Sequence, residues 1–481
     1  MPPPPVAAGR LGGASVACFA LAAATPLTVV TAVVPGAYAD SGLPALPLLF
    51  LALGALLLLF LVGCTGMIRR LPGPGALYSF VARGLGRPAG VGAAWLALLS
   101  YNALQVGLYG TVGAAAAPLI DAPWWAVAAA CWVVVALCGL LLSPAATARL
   151  LAVPVSGGIV LVAGYAVANL LDPGGGRVSW AALHPGHLGE VSRPVLGLLL
   201  VVGAFAFVGF ETAVTHAADV RRPRSTTARA AVASVLLLAL LYAAASWATA
   251  VATGPGRIAA AAAARGPELA FDLAATRLPS WTVPLGRALV VAGLLAAMLA
   301  LHHTVVRYLL ALGRERVLSA GLGAWRPASL TQSLTGGLII GGCVLLDRPV
   351  VALGSRLAVG GALGIVVLLA LASLAALVFL NRHPEGEGVL RRFLAPGVST
   401  VLLGVLTYLA YLSFPELVVA AAATALLGVL YGLVLRWARP VVYAGIGLGG
   451  AAVVVAPAPV AVPRPRSPGA HRPERVNRLA G

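Results

Sequence analysis

The chain contains no lysine: all 32 of its basic residues are arginine, set against 14 acids for a formal charge of +18. Charge of either sign is scarce, at 10% of 481 residues, while 60% are hydrophobic and the mean hydropathy is +0.98. A water-soluble core cannot absorb that much apolar sequence, so a soluble enzyme or binding domain is excluded. Short alternating segments are also missing, which removes a membrane β-barrel. No basic domain interleaved with aromatics exists; the arginines sit in short loops beside apolar runs, and their charge is topological rather than a nucleic-acid footprint. The five cysteines, Cys18, Cys64, Cys131, Cys138 and Cys343, show neither CxxC nor Cys/His spacing and read as small hydrophobes. The opening MPPPPVAAGR has one arginine and no convincing cleavage site ahead of further apolar runs, so the first span is expected to stay. The bias toward Ala, Gly, Pro and Arg is that of a GC-rich genome.

What is present is a succession of apolar runs of roughly 17–25 residues, the length a helix needs to cross a bilayer. They fall at 15–38, 45–67, 88–117, 123–142, 149–170, 194–218, 229–253, 284–312, 330–346, 356–380, 394–413 and 415–436. The expectation is an all-α polytopic membrane protein with about twelve transmembrane helices. Val441 to Val462 reads as a thirteenth span, a re-entrant piece or a tail, and PRPRSPGAHRPERVNRLAG as a basic disordered end. Arginines concentrate in alternate loops (Arg69, Arg70, Arg83 and Arg87; Arg149; Arg221, Arg222, Arg224 and Arg229; Arg314, Arg316 and Arg326; Arg382, Arg391 and Arg392). Those loops are expected in the cytoplasm, with both termini. The long loop after the seventh span, with PELAFDLAATRLPS, predicts one or two short helices over the outer mouth.

Polar chemistry enters the membrane at few places. Glu211 is the one acid placed well inside a span; at about 3 kcal/mol on insertion scales it should face the bundle interior and have a partner. Its own span has Gly203 and Gly209 around FAF, and the first span has TPLT, with Pro26 flanked by Thr25 and Thr28. Proline frees a carbonyl, and glycine admits either a break or close packing. Two interrupted helices five spans apart offer unpaired peptide groups at mid-membrane to a zwitterion, helix N-terminal amides to its carboxylate and carbonyls to its ammonium. In YNALQVGLYG, Asn102, Gln105 and Tyr109 share one helical face, either a hydrogen-bonded seam between helices or a pocket wall. His302 and His303 lie in an apolar run and can exchange a proton near neutrality or serve as structural histidines. A polytopic enzyme needs paired acids or metal ligands near a membrane surface, and the loops show none.

These motifs carry a resemblance. FAFVGFETAVTHAADVRRPRSTTARA, LHHTVVRYLLALGRERVLSAGL, TPLTVV and RRLPGPGALYSFVARGLGRPAGVGAAW occur in the order found in the amino acid/polyamine/organocation transporters, and the chain resembles their bacterial amino acid permease branch. The resemblance implies a LeuT-type fold of two inverted five-helix repeats, 15–170 and 194–380, after a cytoplasmic N-terminus at 1–14. Two trailing helices would lie at 394–436, and a Gly/Pro stretch with the basic tail at 437–481. It implies secondary active transport of an amino acid or related amine across the cell membrane by alternating access. The substrate would lie among Thr25, Pro26, Leu27, Thr28, Asn102, Gln105, Phe205, Ala206, Val208 and Gly209, with Phe205 as an aromatic gate. Glu211, His302 and His303 would form the coupling network, and Asp219 would pair with Arg222 or Arg224. No cofactor or metal is implied. A proton is the expected coupling ion, with sodium left open, because the lysine that some proton-coupled members have in the fifth span is absent here. The lipid bilayer and a small solute are the expected partners, with no nucleic acid and the oligomeric state open. An exchanger or exporter on the same fold is the alternative, a membrane enzyme a distant one. The sequence departs from the family at TPLT, where glycine-serine-glycine is usual, at Ala218, Ala228 and LSA (318–320), and at His303, where asparagine is frequent.

Overall fold

Proline marks where many of the helices begin. Pro47, Pro88, Pro144, Pro194 and Pro415 all stand in first turns, where a missing amide hydrogen leaves no intrahelical bond unmade. The computed structural model describes residues 11–71, 76–220, 222–346, 350–384 and 386–448. Among them are twelve helices long and apolar enough to cross a membrane: Gly13–Ser41, Leu46–Arg70, Arg87–Ala116, Trp124–Leu141, Pro144–Leu171 and Arg193–Thr215 (spans 1–6), then Ser225–Thr253, Thr282–Arg314, Trp325–Leu345, Gly354–Arg382, Leu390–Ser413 and Pro415–Ala438 (spans 7–12). The chain is an all-α, multi-pass membrane protein. No strand occurs among the described residues; the single β-bridge joins Leu11 to Val220, and the Leu11 amide reaches the Asp219 carbonyl at 3.0 Å. The loop following span 6 thereby holds the start of span 1.

Spans 1, 3 and 8 are the most buried and spans 4 and 12 the least. The outer side chains are themselves apolar, among them Leu141, Val160, Leu338 and Leu426, as a lipid-facing surface requires. Spans 3 and 10 approach through glycine: a Cβ on Gly107 would lie 2.8 Å from the Gly354 carbonyl oxygen. Without a hydrophobic driving force between helices in lipid, such close backbone contact supplies dispersion energy.

Three short helices supplement the bundle. Ile258–Arg265 and Glu268–Arg277 occupy the loop between spans 7 and 8 and pack on spans 1 and 5. The third, Leu77–Gly84, follows span 2 in the chain, where the sequence suggested only an arginine-bearing loop, and buries Leu77, Tyr78, Phe80 and Val81 as it packs on spans 3 and 10. After span 12 the chain forms Pro440–Gly445. The rest of the stretch to Val462 and the basic tail lie outside the described residues, as do 72–75 of the RRLPGPG motif, Arg221 and the side chain of Arg224.

Candidate functional site

Pro26 determines the shape of span 1. It has no amide hydrogen to give the Ala22 carbonyl, and its ring disfavours a right-handed helical conformation at the residue before it. Thr25 accordingly adopts a left-handed backbone, φ 43° and ψ 62°, and its amide takes over the Ala22 carbonyl at 3.2 Å. Helix Gly13–Ala24 ends there. The chain restarts at Pro26–Thr28, passes a wide π-turn at Val29–Val33 and continues as Val34–Ser41.

Span 6 is broken more deeply. Helix Arg193–Phe207 stops at Val208, which is extended, and Gly209 follows with φ +124°, a conformation a side chain rarely tolerates. Helix resumes at Thr212–Thr215. Glu211 lies in the gap, 1% exposed. Its Oε2 turns back to accept the Gly209 amide at 2.9 Å, and its Oε1 accepts the hydroxyl of Tyr101, from span 3, at 3.0 Å. The carboxylate is thus partnered on both oxygens, the condition for keeping an acid in the membrane.

The two breaks touch. A Cβ added to Gly209 would lie 2.6 Å from Ala23 Cβ, 2.7 Å from the Ala20 carbonyl oxygen and 3.0 Å from the Ala24 amide nitrogen. Only glycine lets the two backbones come so close. One hydroxyl spans them: Tyr242, from span 7, donates to the Ala206 carbonyl at 3.0 Å and to the Ala24 carbonyl at 3.3 Å. Its ring is held by Phe50 and Phe207, with centroids 5.4 and 5.7 Å away. Sequence reasoning did not single out Tyr242; the available signal was an aromatic with a polar tip in the middle of an Ala/Leu helix, one of two with Trp247.

Of the other residues named for the substrate, Thr25, Pro26, Leu27 and Thr28 border a cavity of about 10 Å³ between spans 1, 5 and 8, room for a single water. The Thr28 hydroxyl has no hydrogen-bond partner among the described residues. Phe205 is half-buried against the core. Across span 6, Val208 and Phe210 border a void of about 20 Å³ walled entirely by apolar side chains, most of them leucines, which offer a water no partner.

Asn102 and Gln105 have their partners elsewhere. The Gln332 side-chain amide of span 9 donates to Asn102 Oδ1 at 2.9 Å and to Gln105 Oε1 at 2.8 Å. Gln105 in turn donates to the Tyr109 hydroxyl at 3.2 Å, and Asn102 to the Leu98 carbonyl at 2.8 Å. The stripe has the geometry of a seam between spans 3 and 9, and none of these bonds reaches span 1 or span 6.

The histidines divide because consecutive residues of a helix point about 100° apart. His302 faces Gly139 and lies 3.0 Å from the Ser329 hydroxyl, between spans 4 and 9. His303 turns toward the centre, 3.3 Å from the Thr147 hydroxyl, with its ring 5.4 Å from Phe19 of span 1. Phe19 also meets His216, centroids 4.1 Å apart. His216 follows the span 6 break by one turn and was also missed, although THAAD places it there in the sequence. Only Glu211 of the three coupling candidates contacts the break directly. Asp219 pairs with Arg307, a residue within span 8; the expected partner Arg224 has its side chain outside the described residues. An arginine inside an apolar span was the sequence signal for that pair.

No family profile and no curated sequence matches the chain. Among solved structures it is similar to the substrate-bound outward-open state of a Na+-coupled sialic acid symporter, with a TM-score of 0.50 at 14% identity over 83% of this chain and 90% of that one. At that identity the likeness is one of fold. Chain and neighbour share a polytopic helical membrane fold, and the class this chain's own spans define is the twelve-helix membrane protein.

Proposed function

We propose that this protein is a secondary active transporter of an amino acid or a related amine, driven by protons, with its solute site between the broken spans 1 and 6. The observation that carries the reading is the direct contact of the two breaks at Gly209 and Ala20–Ala24, bridged by Tyr242. Peptide groups released from helical pairing at that depth suit a small zwitterion. The amides and hydroxyls of Thr25–Thr28 would take its carboxylate, the carbonyls of Ala206 and Val208 its ammonium, and Phe205 would close over it. Two inverted repeats, 15–170 and 194–380, would rock about the site, with spans 11 and 12 alongside, in the cell membrane with both termini in the cytoplasm.

A cavity of about 10 Å³ beside span 1 is too small for an amino acid. Binding therefore requires hinging, and Thr25 and Gly209 are the non-helical positions at which the half-helices can turn. Glu211 supplies a route for coupling. An ionised carboxylate accepts from both the Gly209 amide and the Tyr101 hydroxyl; once protonated, one oxygen also carries a donor that needs its own acceptor and accepts more weakly, which loosens the contact on that oxygen. A proton that favours one arrangement of the break over the other biases the access equilibrium, which is what coupling needs.

The test is uptake into proteoliposomes under an imposed pH gradient, with solutes chosen by thermal-shift screening of amino acids and polyamines. Glu211→Gln keeps one acceptor oxygen and should fold, but its uptake should lose pH dependence between about pH 5 and 8. Wild-type pH dependence in that variant would end the assignment of Glu211. Uptake that follows a sodium gradient at fixed pH would replace the proton by sodium, and counterflow separates uptake from exchange.

A further inference from the structure

Span 8 ends in a reversal that helices ordinarily give to glycine. The Arg316 amide bonds the Gly313 carbonyl at 3.0 Å, the Val317 and Leu318 amides converge on the Leu312 carbonyl at 2.9 and 3.2 Å, and Arg316 is left-handed, φ 59°. Among the described residues the only other non-glycine with positive φ is Thr25, which Pro26 accounts for. Arg316 is followed by valine, which imposes nothing comparable. A side chain kept in a backbone conformation that disfavours it marks a place to look for a job.

Arg316 opens onto a cavity of about 370 Å³ lined by residues 316–320, Tyr431 and Arg439. Tyr431 fixes one wall: its hydroxyl donates to the Val317 carbonyl at 2.9 Å, tying span 12 to the loop after span 8. Arg439 also lines it, at the corner where span 12 gives way to helix Pro440–Gly445. No acid lines the cavity. Glu315, next in sequence, is 3% exposed, and its Oε1 accepts the Gly447 amide at 3.0 Å. Neither Arg316 nor Arg439 forms a side-chain hydrogen bond or ion pair among the described residues. Trp437 and Val441, 84% and 77% exposed, flank Arg439 and suit the depth where aromatic and apolar side chains meet headgroups.

We propose that this cavity is a binding site for a phosphate-type anion, held between the guanidinium groups of Arg316 and Arg439. Planar guanidinium forks match phosphate oxygens two at a time, and a cavity shared by two spare arginines with no carboxylate to neutralise them concentrates that chemistry. The anion is the phosphodiester of an acidic lipid headgroup or a free phosphate. The site is independent of what the chain transports.

Native mass spectrometry of the purified protein in detergent tests it, titrating phosphatidylglycerol and phosphatidylcholine with and without inorganic phosphate. Arg316→Gly places at 316 the residue its backbone favours, so the fold is retained; Arg439→Gln removes the second fork. Each variant should weaken phosphatidylglycerol binding at least about fivefold, the effect of one basic residue near an anionic surface. Arg436→Gln, an exposed position outside the cavity, should stay within about twofold of wild type. Displacement of phosphatidylglycerol by inorganic phosphate assigns recognition to the phosphate itself, and resistance to displacement assigns it to the lipid. Equal binding of the two lipids, wild-type binding by Arg316→Gly, or an equal loss in Arg436→Gln would overturn the proposal.

Discussion

Two glycines six residues apart in span 6 should answer very differently to one added methyl group. At Gly209 an alanine side chain would collide with Ala23 Cβ at 2.6 Å and with the backbone of Ala20 and Ala24 at 2.7 and 3.0 Å, on a residue with φ +124°. The conformational penalty is about 1–3 kcal/mol, and overpacking against backbone that cannot yield adds about 1–3 kcal/mol. At Gly203 the nearest atom is the tip of Leu53, Cδ1 at 2.5 Å, in a regular helix. A leucine tip can rotate away, and alanine gains about 1 kcal/mol of helix propensity. Gly209→Ala should therefore separate spans 1 and 6 or destabilise the bundle, while Gly203→Ala stays near neutral. Thermal unfolding in detergent and uptake at matched protein levels read both variants. Equal melting temperatures and equal uptake for the pair would refute the claim that Gly209 is where the two half-helices meet.

Two further perturbations probe the surroundings. Gln332→Ala removes the donor shared by Asn102 and Gln105 and should cost about 1 kcal/mol of stability, in the range for hydrogen bonds between membrane helices, while leaving solute affinity within about twofold; a large loss of affinity at unchanged stability would return Asn102 and Gln105 to the solute site. Asp219→Asn leaves Arg307 largely buried without its counter-ion and should cost about 3 kcal/mol; an unchanged melting temperature would show that the pair does not hold span 8 to the end of span 6.

The spans were legible because twenty-residue apolar runs have few alternatives, and the breaks because Pro26 and Gly209 act through the local backbone. Helix Leu77–Gly84 was hidden: its glycine and proline neighbours read as loop, and its burial depends on contact with span 10. The partners of the polar residues were not readable at all. Nothing in periodicity says that Tyr101 meets Glu211, that Tyr242 joins Ala24 to Ala206, or that the second amide of a seam is Gln332. His302 and His303 make the same point, since which of two adjacent residues faces the centre depends on helix rotation, a property of the packed bundle.

The central claim is that a charged solute lies between the half-helices of spans 1 and 6. Its most direct test is the structure of the protein with a solute that thermal shift has identified. Density wedged between Thr25–Thr28 and Ala206–Gly209, with the Tyr242 bridge parted and the backbone turned at Thr25 and Gly209, is the expected result. Solute density elsewhere, with Gly209 still seated on Ala20 and Ala24, would contradict it.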